Sequence, residues 1–595
     1  MVTIIGTTRG ARIRIAISLV ALGVLICFCS SLALGQRKPP SAFQQHYNKG
    51  VEFLEKQQTD RAIAELKLAV GINPRHAEAH NVLGLALARK GEIKLAADYF
   101  RKAVQLDAKS YKAYRNLGKS LQQLGDVDGA IASLRQSVAL KADEADTRLL
   151  LGVAFQQKQN IQSAIEEFRE AARLDPKMAE PHFYLGYVLG AMGQLREAAS
   201  EFETAVKLNP DYAEAYYYLG TARWFSDDTS GAMLALREAA RRMPNHADSH
   251  YYLGLAARKS GDIQTAIEEL ATAVRLAPER VEPRHALGQT LRENEELDEA
   301  IEAFQAVIRQ KPDFVQAYND LGLALVSRRD PDGAIAAFNS ALKRDPNNLV
   351  AHHNLGMALI QKGDFTAAVS EYQKLIALAP ASSEAHYNLG LALKNKDRFD
   401  DAVVELKKAI SLEPGLYEAH YTLGVIHLQQ SRLDEAALSL RSAIKAKPDY
   451  AKAHYALGTV FQQQGKLEEA VAALREALKY APNAPEIHNT LGTALRQKGD
   501  VEAARLEFRE AARLNKKESD MQAAMFATNT GIARLKAGDV DAAIERFEAA
   551  IKLNPEDAQA HYNYAKALRQ KGRHDAAQTE YQTARKLNPR LKPLE

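Results

Sequence analysis

The sequence predicts an all-α solenoid, a row of stacked helix pairs none of which could bury its apolar face alone. Three observations predict it. A glycine recurs every 34 residues, fourteen times from Gly50 to Gly492. An alanine stands twelve residues after each of these positions, as at Ala62, Ala96 and Ala334. A proline follows 24 residues after most of them, as at Pro74, Pro176 and Pro482. A fixed period of this length marks one supersecondary unit repeated along the chain.

The bulk numbers agree with a folded, water-exposed protein. Of 595 residues, 46% are hydrophobic and 26% charged, too polar for many membrane spans and too apolar for disorder. The formal net charge is +4, and three of the cations, Arg9, Arg12 and Arg14, lie in the first 35 residues, which hold no Asp or Glu. Removing those three leaves +1, with no Lys/Arg block, so nothing in the charge points to nucleic acid. Both cysteines, Cys27 and Cys29, fall in the same N-terminal stretch, and the rest of the chain can form neither disulfide nor thiolate metal site.

Residues 1–35 read as an export signal: the three arginines, then an uncharged run from Ile15 to Gly35, then the polar Gln36, Arg37 and Lys38. Ala33 and Gly35 place small side chains three and one before a cut ahead of Gln36. The run is 21 residues long, so left uncut it is an anchor in a bilayer that needs about 20. Either way the positive flank holds the N-terminus inside and sends the remainder out, to a periplasm or beyond. Ile26 and Phe28 precede the cysteines, which argues against a lipoprotein signal. Residues 36–42 then serve as a linker.

The units follow. Counting each from its own first residue, with Phe43 opening the first, residues 43–518 hold units one to fourteen, 519–523 an insertion or break, 524–591 units fifteen and sixteen, and 592–595 a tail. Position 7 is leucine in thirteen units, position 8 is glycine in fifteen and Ala565 in the last, position 20 is alanine in all sixteen, and position 32 is proline in thirteen. Position 24 is often large and apolar, as at Phe100, Phe168, Phe304, Phe338 and Phe547. Positions 2 to 14 form helix A and 18 to 30 helix B, across a turn that nine units mark with glycine, as at Gly91, Gly363 and Gly499. The proline ends a helix and turns the chain into the next unit. The polar junction Lys516-Lys517-Glu518-Ser519-Asp520 lacks that proline and adds five residues to the period, which predicts a break in regular stacking. At the other end no polar helix follows the last unit, so that end is expected to fray or to be covered by a partner.

This spacing resembles the tetratricopeptide repeat (TPR), over about nine-tenths of the chain. The resemblance implies a right-handed α-solenoid superhelix of about sixteen stacked helix-turn-helix units, binding partners on its inner wall. Ala108, Ala142 and Lys516 depart from the family's proline, and position 4 is rarely the family's aromatic residue.

At 100° per residue, helix A positions 3, 7, 10, 11 and 14 cluster as a packing face, leaving 2, 5, 6, 9, 12 and 13 as a free stripe. Along that stripe Phe183, Tyr184, Tyr187, Tyr217, Tyr218, Trp224, Tyr251 and Tyr252 form an aromatic stretch with the single tryptophan. Such side chains suit interface anchors or stacking on sugar rings, and equally packing between neighbouring A helices. Position 6 offers asparagines, among them Asn354 and Asn388 in adjacent units. In long members of the family such asparagines hold an extended peptide by its backbone, and these two resemble that arrangement. Val82, Ala286 and Thr422 interrupt the ladder.

Ten of sixteen histidines occupy position 4. Successive A helices lie about 8–10 Å apart, too far for two imidazoles to share a metal at about 2 Å, so the column reads as structural. His76 with His80, and His246 with His250, have helical metal-pair spacing but no third ligand. Leu117-Gly118-Lys119-Ser120 imitates the end of a phosphate loop, yet Ala113 stands where the loop requires glycine. No catalytic motif, metal site or cofactor site is expected. The reading is a non-catalytic exported scaffold, an adaptor or assembly factor for protein or peptide partners. Its rival is a glycan-binding or polysaccharide-export scaffold using the aromatic stretch. Nucleic acid is excluded, and membrane contact runs only through an uncut signal.

Overall fold

The computed structural model describes residues 41–589 and 591–594, so the signal segment, its cut site and most of the linker lie outside the described residues. Thirty-one α-helices and no strand occur among the described residues. The chain divides into two compact bodies, one ending at Glu296 and one beginning at Leu297. The first holds seven complete helix pairs, from Ala42–Glu55 with Thr59–Ile72 to Ala247–Ser260 with Ile263–Leu276, and then Val281–Glu293. The second runs from Leu297–Gln310 to the last pair, Ala558–Gln570 with His574–Leu587.

One local rule builds every pair. The residue at position 15 has positive φ in all sixteen units, nine times as glycine and seven times as another residue, including Gln159 (63°) and Ser431 (60°). This left-handed step stops helix A, and a side chain at position 16 often caps helix B at once. Asp126 accepts from the Gly129 N–H and Asp228 from the Gly231 N–H, each at 2.9 Å.

The two helices then close on the periodic glycine. A Cβ added to Gly84 would lie 2.7 Å from Cε1 of Phe100, whose ring is 1% exposed and has nowhere to go. A fully buried large side chain at position 24 therefore needs a bare backbone at position 8, and in unit sixteen, where that position is Ala565, Tyr581 is only half-buried. The alanine at position 20 is buried in every unit from Ala62 to Ala577, which brings the helices to close range.

Between units, each B helix up to unit thirteen, and that of unit fifteen, packs on the following A helix, and within each body consecutive A helices also touch. Among the described residues, consecutive B helices do not. The A helices thus form the inner wall of each stack. Position 21 supplies the joint: Ile131 shares a cluster with Leu151 and Phe155 of the next unit, and Val471 with Leu491 and Leu495.

Residues 519–523, set apart above as an insertion or break, lie inside one 36-residue helix, Val501–Lys536, which merges helix B of unit fourteen with helix A of unit fifteen. The helix contains no proline, and Lys516 stands where the proline of other units would end it. Charge explains why the chain does not fold back. Position 21 is apolar in every unit except fourteen and sixteen, which carry Arg505 and Gln578. Regular stacking would press Arg505 toward Arg534 at position 11 of unit fifteen, burying like charges. The faces left uncovered behave accordingly: Phe526 is 73% exposed, whereas Ala79 and Ala317 at the same position are fully buried. Leu594 packs on the last pair, Arg569 Nη1 donates to its carbonyl at 2.5 Å, and the Tyr581 hydroxyl donates to the Lys592 carbonyl at 3.3 Å.

Candidate functional site

The A-helix wall of the first body carries two clefts. The larger encloses about 640 Å³ and spans units two to five, with Arg89, Arg115 and Lys119 on one side and Leu149 and Leu150 beyond them. Arg89 is pinned by a 2.7 Å bond from Nη1 to the Leu54 carbonyl. Arg115 has only loose partners, Glu144 at 3.7 Å and Asp146 at 4.0 Å. Glu144 is held more tightly by Lys141, whose hydrogen bond keeps that carboxyl below its usual range. Lys119 makes no ion pair among the described residues.

The smaller cleft, about 290 Å³, lies between units five and six. Gly186 and Gly190 lower its floor, and Tyr187, Phe202, Tyr218 and Phe225 wall it. Tyr187 and Phe225 are its open rims, 41% and 59% exposed.

The aromatic stretch is brought together, but mostly by packing on itself. Phe183 meets Tyr184 and Tyr218 edge-on at 5.4 and 5.7 Å. Tyr187 meets Tyr218 at 5.4 Å, Tyr217 meets Tyr218 at 5.1 Å, and Tyr251 meets Tyr252 at 5.2 Å. Lys259 sits over the Trp224 ring at 5.4 Å, and Arg280 over Tyr251 at 5.7 Å. Burial pushes the phenols of Tyr217, Tyr218, Tyr251 and Tyr252 above their ordinary value, so these hydroxyls stay neutral. Only Tyr187 among the eight is an exposed side chain.

Positions 5 and 6 are therefore covered in most units, contrary to the helical-wheel expectation, although Arg115 at position 5 still lines the larger cleft. Asn81, Val82 and Asn116 are buried, and Asn116 donates to Asn81 across the unit boundary at 2.9 Å. Asn388 is 4% exposed and Asn354 half-buried. The wheel considered one pair and omitted the A helix of the neighbouring unit. Position 13 in every unit, position 2 in most and position 9 in four of them keep exposed side chains, and positions 9 and 13 supply Lys119, Tyr187 and Phe225. Sequence reasoning missed Phe225 and the cationic side; both were visible as position 13 and position 9 residues on the stripe.

The histidine column ties units together. Nδ1 of His46, His182, His250, His386, His488 and His561 faces a glutamate 19 residues on, at 2.5 to 2.7 Å, and His352 pairs with Glu371 in the same way. Nε2 of His80, His250, His386 and His488 faces the preceding unit's proline carbonyl at 2.9 to 3.2 Å. The glutamate, at position 23, is on the same unit's helix B.

Family models for the tetratricopeptide repeat match residues 47–111, 115–179, 220–280 and 528–591, and further TPR models match 191–224 and 288–328. A model described as the cilia and flagella-associated protein 70 C-terminal domain matches 314–528. No curated protein sequence matches the chain. Among solved structures, YrrB, described as a TPR protein with an unusual peptide-binding site, is 25% identical over 32% of this chain and 97% of its own, with a TM-score of 0.30. The Cut9–Hcn1 structure is 17% identical over 79% and 99%, with a TM-score of 0.34, and yeast Tom70 is 17% identical over 78% and 96%, with a TM-score of 0.32. At these scores the superpositions carry no weight for function. The repeat models, covering more than half of the residues and falling in register with the helix pairs, place this chain in the tetratricopeptide-repeat family.

Proposed function

We propose that the chain is a non-catalytic scaffold that holds protein or peptide partners on its A-helix wall, as an adaptor or assembly factor. One observation carries this reading: on the first body, an open cleft with a cation lacking an ion pair adjoins exposed aromatic rims, a surface suited to a side-chain-bearing strand. The ring faces of the aromatic stretch are largely turned on one another, which favours a peptide over a sugar needing an open flat platform. The order of basic, uncharged and small residues in 1–35 supports export, with Gln36 as the first residue of the mature chain and anchoring by residues 15–35 as the alternative.

Affinity capture by the full chain from a cell-envelope extract, with crosslinking and mass spectrometry, tests the reading. A protein crosslinked to A-helix residues supports it. Retention of glycan alone contradicts it. N-terminal sequencing of the purified protein tests the signal: a start at Gln36 supports cleavage, and a retained Met1 supports the anchor.

A further inference from the structure

We infer that the first body's wall takes an extended peptide of defined polarity, with acidic side chains over Arg115 and Lys119 and a bulky apolar side chain seated between Tyr187 and Phe225. This deepens the scaffold reading and rests on it.

Charge argues for the acidic end. Lys119 projects from position 9 of unit three into the larger cleft without an ion-pair partner among the described residues. Arg115, one turn earlier, is held at 3.7 and 4.0 Å from carboxylates, distances that leave its donors unsatisfied. A carboxylate placed between them would gain charge-assisted bonds that Glu144, engaged by Lys141, does not supply.

Shape argues for the apolar end. The smaller cleft has a glycine floor and two exposed aromatic rims, and its remaining wall is mostly apolar, with Leu195, Phe202 and Ala222 beside the hydroxyl-bearing Tyr218 and Thr221. Its volume of about 290 Å³ is sized for one large side chain rather than a ligand with its own scaffold. Leu149 and Leu150, half-buried, line the larger cleft beyond Arg115 and Lys119, and Asp146 and Glu180 line it with them, carboxylates that disfavour acidic side chains away from the two cations.

Spacing makes the inference specific. Lys119 and Tyr187 hold the same position two units apart. At about 8–10 Å per packed helix, roughly 20 Å separates them, which an extended chain covers in about six residues at about 3.3 Å each.

The test uses the full chain and labelled synthetic peptides read by fluorescence anisotropy at about 50 and 300 mM salt. The reference peptide carries two aspartates and, about six residues on, a tryptophan. Three relatives replace the aspartates by lysine, the tryptophan by alanine, or shorten the spacer to about two residues. The expected result is that each relative binds at least about tenfold more weakly, and that the aspartate preference fades at high salt. Lys119→Gln removes the aspartate preference, Lys119→Arg restores it, and Tyr187→Ala removes the tryptophan preference alone. Equal binding of the lysine peptide, or an aspartate preference that survives Lys119→Gln in a chain of unchanged helicity, overturns the inference. A captured protein crosslinked solely within residues 297–594 also overturns it, while leaving the scaffold reading in place.

Discussion

Nδ1 of His250 lies 2.6 Å from Oε2 of Glu269, and its Nε2 lies 3.1 Å from the Pro244 carbonyl, so helix A, helix B and the preceding turn meet at one imidazole. Both neighbours are acceptors, and only the doubly protonated ring donates to both. The Glu269 hydrogen bond, against an opposing cost of burial, raises the His250 pKa above its ordinary value. A raised folded-state pKa means the stabilisation is complete below the unfolded value of about 6.5 and is lost as pH climbs through the folded one. His427 has the opposite sign: burial lowers its pKa, so it opposes folding as pH falls below the unfolded value. Urea midpoints at mildly acidic and mildly alkaline pH should show His250→Gln costing more stability at the acidic end. His427→Leu should help more there. A pH-independent cost for His250→Gln contradicts the double donation.

Gln159 and Ser431 hold the left-handed turn position without being glycine. The strain of a Cβ there is about 1–2 kcal/mol, partly offset by the extra chain freedom glycine brings to the unfolded state. Gln159→Gly and Ser431→Gly should each raise stability by up to about 1 kcal/mol, and Gly261→Ala should lower it by a similar amount. Denaturant midpoints with unchanged slope check this.

Gly84→Ala and Gly458→Ala should destabilise by about 1–3 kcal/mol each through overpacking. The added methyl meets Phe100 at 2.7 Å in the first case and Cγ of Leu474 at 2.6 Å in the second. Pairing Gly84→Ala with Phe100→Leu should return part of the loss, and a strictly additive pair would show that the clash is not the cause.

In thirteen units proline at position 32 is tolerated because a helix ends there; in unit fourteen Lys516 is mid-helix. Lys516→Pro should therefore cost about 3 kcal/mol and speed hydrogen exchange of the amides from Asn515 to Gln522. Unchanged exchange there would mean the helix is already broken.

Much of this was legible from the residues. Leucine, glycine, alanine and proline at fixed offsets gave the pairs, because each sits where packing leaves one chemical choice. The seven non-glycine turns were not, since their strain is local and the surrounding stack overrides it. The merged helix was readable in principle from Arg505, the polar exception at the inter-unit joint, together with Lys516 in place of the proline. The candidate site was half legible. Lys119, Tyr187 and Phe225 lie on the anticipated stripe, whereas Tyr184 packs on Phe168 of the preceding helix B and Asn116 bonds Asn81 of the preceding helix A, contacts that no single-helix projection contains.

Hydroxyl-radical footprinting of the full chain, alone and with its captured partner, tests most directly whether the A-helix wall is the binding surface. Tyr187, Trp224 and Phe225 should be protected by the partner, while Leu234 and Leu438 on the outer B-helix face, 64% and 69% exposed, should react as before. Protection of Leu234 and Leu438 with Tyr187 and Phe225 unchanged would place the partner on the wrong face and contradict the account.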